Sequence, residues 1–434
     1  MVSLQRAFAY ANVSSHVVTG ETSAAYSETM WFKNYSKSVN GSRGCRFFVP
    51  MNNYRSKLAC LTICCFAFCV INGQNPTGPS FVFPSLAPQI QKEGSIVFRL
   101  RAPAATKVLL KIEGRTLPMS KDKKGVWSVT TPKMEPDIYA YTFIVDSLSL
   151  PDPSNPLMRS SFAGSGQSLL VVPGTPPQEW ELQDVPHGAV THHFFKSAII
   201  GDQRDFYVYT PPEYDPGSSQ TYPVLYLLHG MGDDARGWTQ SGYANVIMDN
   251  LINQKKALPM IMVFTLGYGM PGAAMSTASF RRFDESLTGE IMPFIERMYH
   301  TDKKSSGRAI AGLSMGGAQA LLAGLNHPEL FQWIGGFSSA FIMYGIAAGG
   351  FAKVASIDTA YARSFPSLDA SINGKIKLLW ISCGRSDFLA GNNNDFMKWL
   401  DKNKVKFHKV ETEGAHSWMV WRRNLIEFSS LLFR

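Results

Sequence analysis

Arg308-Ala-Ile-Ala-Gly-Leu-Ser-Met-Gly-Gly-Ala-Gln-Ala-Leu-Leu-Ala323 is the stretch that decides how this chain is read. The apolar run Ala309 to Ala311 predicts a buried strand, and Gly317 to Leu325 is rich in good helix formers. Between them Gly312-Leu313-Ser314-Met315-Gly316 forms G-x-S-x-G. A strand, a glycine-flanked serine and a helix in that order make a nucleophile elbow. The glycines have a steric reason, because a turn this tight leaves no room for Cβ atoms on either side of the serine. Ser314 would then stand at the positive end of the following helix. Taken alone, the pattern also fits a glycine-rich turn with an incidental serine, so partner groups must be sought downstream.

Serine is a weak nucleophile that needs a base, normally a histidine oriented by a carboxylate. Three histidines follow Ser314: His327, His408 and His416. His327 falls at the end of the elbow helix, pointing away from the strand tips, and His408 falls within a predicted strand. His416 lies in Glu413-Gly-Ala-His-Ser-Trp418, a small-residue loop after the last strand from which an imidazole could reach Ser314. Ser382-Cys-Gly-Arg-Ser-Asp387 follows a strand directly and puts Asp387 at the sheet edge where open α/β sheets bind ligands. Asp395 is the competing carboxylate, at the start of the next helix. An oxyanion hole needs two backbone donors. The N–H of Met315 is one candidate, and the N–H of Met231, in the strand-ending His229-Gly-Met-Gly232, is the other.

Other strands place this constellation in a larger plan. Val224 to Leu228 and Met260 to Phe264 are continuous apolar runs, as strands buried on both faces require. With a helix predicted over Asp284 to Met298 and strands over Ile376 to Ser382 and Val405 to Val410, residues 190–434 predict a doubly wound, mainly parallel α/β sheet. His192 and His193 have no nearby acidic or cysteine partners and read as strand residues. From about 79 to 173 the pattern is β throughout: Ile96, Phe98 and Leu100 alternate with Val97, Arg99 and Arg101, and Tyr139, Tyr141 and Phe143 alternate with Ala140, Thr142 and Ile144. A small Ig-like β-sandwich is expected there. The proline-rich 174–189 reads as a linker.

Composition narrows the partners. At 434 residues, 45% hydrophobic and 17% charged, the chain is an ordinary globular protein rather than a disordered one. The formal charge of +9 is concentrated in residues 1–73, which hold seven Lys/Arg and two acids. The remainder is too weakly basic to suggest nucleic-acid binding. Five of the six cysteines lie in the same N-terminal stretch, leaving Cys383 alone in the body. Residues 51–73 read as a signal peptide: basic Arg55 and Lys57, then the apolar run Leu58 to Ile71, too short for a membrane span. Its internal position suggests that residues 1–50 are an upstream extension ahead of a start at Met51. A secreted protein, periplasmic or extracellular, follows, without membrane association after cleavage. No metal or nucleotide cofactor is indicated.

Together these motifs carry a resemblance. Leu228-His-Gly-Met-Gly-Asp-Asp-Ala-Arg-Gly-Trp238, Ala311 to Gly317, His327-Pro-Glu-Leu-Phe331, Cys383-Gly-Arg-Ser-Asp-Phe388 and Gly414-Ala-His-Ser-Trp-Met-Val-Trp-Arg422 resemble carbohydrate esterase family 1 over about 190–434. The family contains the esterase D-like feruloyl and acetylxylan esterases, with an α/β-hydrolase fold. Phe98-Arg-Leu-Arg-Ala-Pro103, Gly125 to Val129 and Asp137 to Asp146 resemble carbohydrate-binding module family 48. The resemblance implies a triad of Ser314, Asp387 and His416, with oxyanion donors on Met231 and Met315. It also implies a plant cell-wall polysaccharide, feruloylated or acetylated xylan, as substrate. Trp238, Tyr268 and Trp418 are candidates for stacking on an aromatic acyl group, and Gly267 to Arg282 for shaping its pocket. Trp127, Tyr139 and Tyr141 could touch polysaccharide or could simply be core. Rival readings are an acetylxylan esterase, a sugar acyltransferase, and a non-catalytic polysaccharide-binding protein.

Overall fold

A computed structural model of the chain describes residues 86–159, 166–270, 276–341 and 357–434. The extension and signal peptide expected over 1–73 lie outside the described residues.

Residues 89–172 form two antiparallel sheets. One pairs Ile96–Arg101 with Val126–Thr130; the other is centred on Asp137–Val145, between Val108–Ile112 and Gln167–Val172. The period-2 pattern sorts these strands: Ile96 and Phe98 meet Tyr141 and Phe143 in one shared core. The Phe98 and Tyr141 rings pack edge to face at 4.9 Å. Trp127, Tyr139 and Tyr141 are all buried. Their polar ends are satisfied inside, Trp127 Nε1 donating to the Ala102 carbonyl and Tyr141 Oη to Asp152. The three rings are core and offer no surface to a polysaccharide.

The proline-rich stretch 174–189 is not loose. Trp180 within it is buried, beneath the Arg423 guanidinium at 5.1 Å from its ring. Burying that indole outweighs the stretch's turn-forming composition.

The remaining sheet has eight strands: β1 (Ala189–Lys196), β2 (Gln203–Thr210), β3 (Val224–Leu228), β4 (Ile261–Thr265), β5 (Arg308–Leu313), β6 (Trp333–Phe337), β7 (Leu378–Gly384) and β8 (His408–Thr412). Their order is β1-β2-β4-β3-β5-β6-β7-β8. The pairs β1–β2 and β2–β4 are antiparallel, and every other pair is parallel. Alternate residues of a buried strand feed opposite faces. Val224, Tyr226 and Leu228 meet α2 (Met315–Asn326) and α3 (Ala390–Lys402) on one side. Leu225 and Leu227 meet α1 (Ala244–Asn253) and α4 (Trp418–Leu431) on the other. Continuous apolar runs such as Val224 to Leu228 exist because both faces are covered.

Two boundaries differ from expectation. The last strand begins at His408 rather than Val405, because the Val405 N–H closes the preceding helix on the Leu400 carbonyl. The helix expected from Asp284 starts at Thr277, where Ser276 caps it by accepting from the Ser279 N–H, and it carries a π-helical turn over Leu287–Ile291.

The antiparallel sheets are pinned to the α/β half by ionic contacts. Asp137 bonds both Arg422 Nη2 and Arg423 Nη2, and Arg422 also donates to the Ile138 and Ser241 carbonyls. Arg422 and Asp137 are each 1% exposed. α4, which carries both arginines, begins two residues after His416, so the clamp fixes the element that positions that histidine.

Candidate active site

Ser314 sits between β5 and α2 with φ +52° and ψ −115°. That backbone is strained for a residue with a Cβ, and such strain concentrates at functional positions. The glycines are required as the sequence suggested. A Cβ on Gly312 would lie 2.4 Å from the Gly316 carbonyl oxygen, and one on Gly316 would lie 2.4 Å from that of His229. Carbonyls from both sides therefore close the turn around the serine. The Ser314 N–H donates to Phe337 and its carbonyl accepts from Ala318 and Ala340, which leaves the hydroxyl to face the cleft.

His416 Nε2 is 3.0 Å from Ser314 Oγ. Its Nδ1 is 2.9 Å from Asp387 Oδ2 and 3.1 Å from Oδ1. The loop after β8 thus lies over the β5 elbow, and the loop after β7 supplies the carboxylate. The Asp387 side chain is fully buried and its Oδ1 also accepts from the Leu389 N–H at 2.8 Å. Burial alone would raise this carboxyl; hydrogen bonds from His416 and Leu389 outweigh it and hold it below its usual range. The imidazole is fixed between the edge of Trp421, 4.9 Å between centroids, and the exposed ring of Phe388 at 4.7 Å. The other candidates are engaged elsewhere: His327 with Asp284, His408 against Trp380, and Asp395 with Lys398.

The loop after β3 stands opposite. A Cβ on Gly230 would lie 2.6 Å from Leu313 Cδ1 and 3.3 Å from Ser314 Cβ, so glycine alone permits this approach. Among the described residues the Met231 N–H donates to no backbone carbonyl. The Met315 N–H opens α2, where helix geometry leaves amides without intrahelical acceptors. Two residues hold the loop. His229, fully buried, faces the Gly230 carbonyl through Nδ1 and accepts from the Gly267 N–H through Nε2 at 2.9 Å. Burial pushes its pKa down to about 4, so the ring is neutral and the Nδ1–H donates. Tyr268 Oη accepts from the Gly232 N–H at 2.8 Å and donates to the Asp233 carbonyl at 2.9 Å.

The three aromatic candidates separate. Trp238 is 1% exposed, with Nε1 on the Leu228 carbonyl and its ring against the edge of Trp418. It is core and cannot stack on a substrate, which corrects the expectation. Tyr268 is also buried; it secures the loop after β3 instead of stacking. Trp418 is buried too, but part of it lines the cleft. Phe388, beside His416, was missed, although Asp387-Phe388 adjoins the carboxylate in sequence.

The cleft has a volume of about 360 Å³ and is bounded by Ser314, His416, Trp418, Met231 and residues of the antiparallel sheets. Those sheets are therefore part of the site wall. Among the described residues no group of three or more His, Cys, Asp or Glu side chains could hold a metal, and no helix is long and apolar enough to cross a membrane.

Comparison with known proteins identifies the family. The profile of the family described as "Putative esterase" matches residues 197–431. An endo-1,4-beta-xylanase/feruloyl esterase of Xylanibacter ruminicola is 30% identical over 361 residues, which is 80% of this chain and 46% of that protein. The chain thus spans about half the length of that relative. An acetyl esterase of Caldicellulosiruptor saccharolyticus is 28% identical over 228 residues, 47% of this chain and 81% of that one. Among solved structures, the enterobactin esterase of Shigella flexneri superposes with a TM-score of 0.61 at 19% identity, over 79% of this chain and 95% of its own. That likeness is one of fold, and it reaches beyond the α/β half.

Proposed function

The chain belongs to the esterase family whose profile it matches, and from that premise we propose that it is a serine carboxylic-ester hydrolase releasing ferulic or a related hydroxycinnamic acid from arabinoxylan. The observation that carries the chemistry is the hydrogen-bonded line from Ser314 Oγ through His416 to Asp387, at 3.0 and 2.9 Å. Ser314 Oγ attacks the ester carbonyl carbon as its proton passes to His416 Nε2. Asp387, ionised and buried, holds the ring and offsets the imidazolium charge. The oxyanion is met by the Met315 N–H, at the start of α2, and by the Met231 N–H, on a loop that His229 and Tyr268 keep rigid. The intermediate collapses, the alcohol leaves with the proton from Nε2, and an acyl-serine remains. Water, deprotonated by the same nitrogen, releases the acid and restores the serine.

The substrate reading draws on the xylanase/feruloyl esterase relative and on the motifs shared with carbohydrate esterase family 1. The acetyl esterase relative favours a second reading, deacetylation of xylan by the same steps. Residues 51–73 support export, so the working protein would begin near residue 74. Hydrolysis of methyl ferulate beside acetylated xylan, by the wild type and Ser314→Ala, tests the assignment. Ferulate released only by the wild type is expected. Acetate without ferulate selects the second reading, and neither product refutes the hydrolase.

A further inference from the structure

The cleft above Ser314 has a charged wall that the triad does not use. Asp233, on the loop after β3, and Arg159, Lys111 and Glu113, on the antiparallel sheets, line the same cavity as Ser314 and His416. Glu113 is partly engaged, since its Oε1 accepts from the Ala140 N–H at 2.8 Å. Arg159 gives Nε and one Nη to Gln167 Oε1, which leaves its other N–H groups without a partner among the described residues. No hydrogen bond among the described residues reaches the Asp233 carboxylate. Its backbone is nevertheless fixed, because Tyr268 Oη binds its carbonyl and the neighbouring Gly232 N–H. A carboxylate on a fixed stretch of backbone therefore lines the catalytic cleft together with a guanidinium of the other half, and among the described residues both have hydrogen-bonding capacity to spare.

That pairing suits one part of an ester better than the other. A flat, largely apolar acyl group packed here would strip water from both charges and give nothing back, which is costly. A sugar ring offers adjacent hydroxyls, each able to donate to a carboxylate and accept from a guanidinium, through charge-assisted bonds. Resting on the ester-hydrolase reading above, we propose that Asp233 and Arg159 form the subsite for the leaving alcohol, and that they bind it as a sugar through neighbouring hydroxyls. The two halves of the chain then act jointly on one sugar residue next to the scissile bond.

The electrostatics supply an independent signature. Burial, with a smaller contribution from Asp234, pushes the Asp233 pKa up to about 6 against the opposing charge of Arg159. Lys111, Glu113 and His416 line the same space. The ionised carboxylate accepts hydroxyls best, so selectivity for the sugar ester should fall as pH drops through about 6.

The experiment compares two esters of ferulic acid, the arabinofuranosyl and the methyl ester, with the full chain and its Asp233→Asn and Arg159→Gln variants. The quantity read is the ratio of kcat/KM on the sugar ester to that on the methyl ester. Each variant should lower it by about 10- to 100-fold, mainly through KM, as loss of a hydrogen bond to a charged group implies. The wild-type ratio should decline below about pH 6 and that of Asp233→Asn should not. Measuring a ratio cancels any pH effect common to both reactions and any general loosening of the loop. Ratios unchanged by both variants, or a pH dependence that survives in Asp233→Asn, would overturn the assignment. A wild type inert on both esters would instead refute the hydrolase reading.

Discussion

His229 gives the clearest link between one side chain and a bulk property. In the unfolded chain its imidazole would titrate near 6.5; in the folded protein burial brings that down to about 4. Between these values the unfolded state binds a proton that the folded state refuses. The stabilisation is complete above pH 6.5 and is lost as pH falls towards 4, a loss of about 3 kcal/mol from the size of the interval. Asp233 and Glu113, whose pKa values burial raises, act in the opposite sense, so the raw pH curve mixes several groups. The variant His229→Gln removes the titration and keeps an acceptor for the Gly267 N–H. Urea denaturation of both proteins at pH 7.5, 5.5 and 4 isolates the effect. The wild type should lose about 3 kcal/mol more than the variant across that range. Parallel pH curves for the two proteins would refute the buried, neutral imidazole and its role in holding the loop after β3.

Two further predictions concern the frame around the site. Gly316→Ala places a methyl 2.4 Å from the His229 carbonyl oxygen and 2.6 Å from that of Leu228. The strand or the elbow must shift, so turnover should fall sharply and thermal unfolding should show a loss of about 1–3 kcal/mol; an alanine variant with unchanged kcat would contradict the packing. Asp137→Ala leaves the buried Arg422 without its carboxylate, and a loss of about 3–5 kcal/mol in denaturant unfolding is expected, against less than about 1 kcal/mol if water solvates the arginine.

The grouping of Ser314, His416 and Asp387 was legible because each requirement is local. Glycines flank Ser314 for steric reasons visible in five residues, and His416 and Asp387 follow strands whose ends face one edge of the sheet. The sheet itself was legible from unbroken apolar runs such as Val224 to Leu228. Trp238 was misread because a tryptophan after a strand-end loop looks the same whether it packs or stacks; only the position of Trp418, far along the chain, decides. Asp233 and Arg159 were invisible for a related reason. In Gly232-Asp233-Asp234 the carboxylate reads as a turn residue, and nothing in either segment announces that a strand of the other half faces it across the cleft. The tight docking of residues 174–189 escaped because Trp180 is buried among side chains distant in sequence, such as Ile138, Leu169 and Trp421, with arginines of the last helix over its ring.

The proposed reaction passes through an acyl-enzyme at Ser314. Rapid acid quench of the wild-type protein during turnover of methyl ferulate, followed by peptide mass spectrometry, should find one feruloyl group on the peptide carrying Ser314. Ser314→Ala should show neither adduct nor turnover. Continued ferulate release with no adduct, or an adduct on any other residue, would contradict the account.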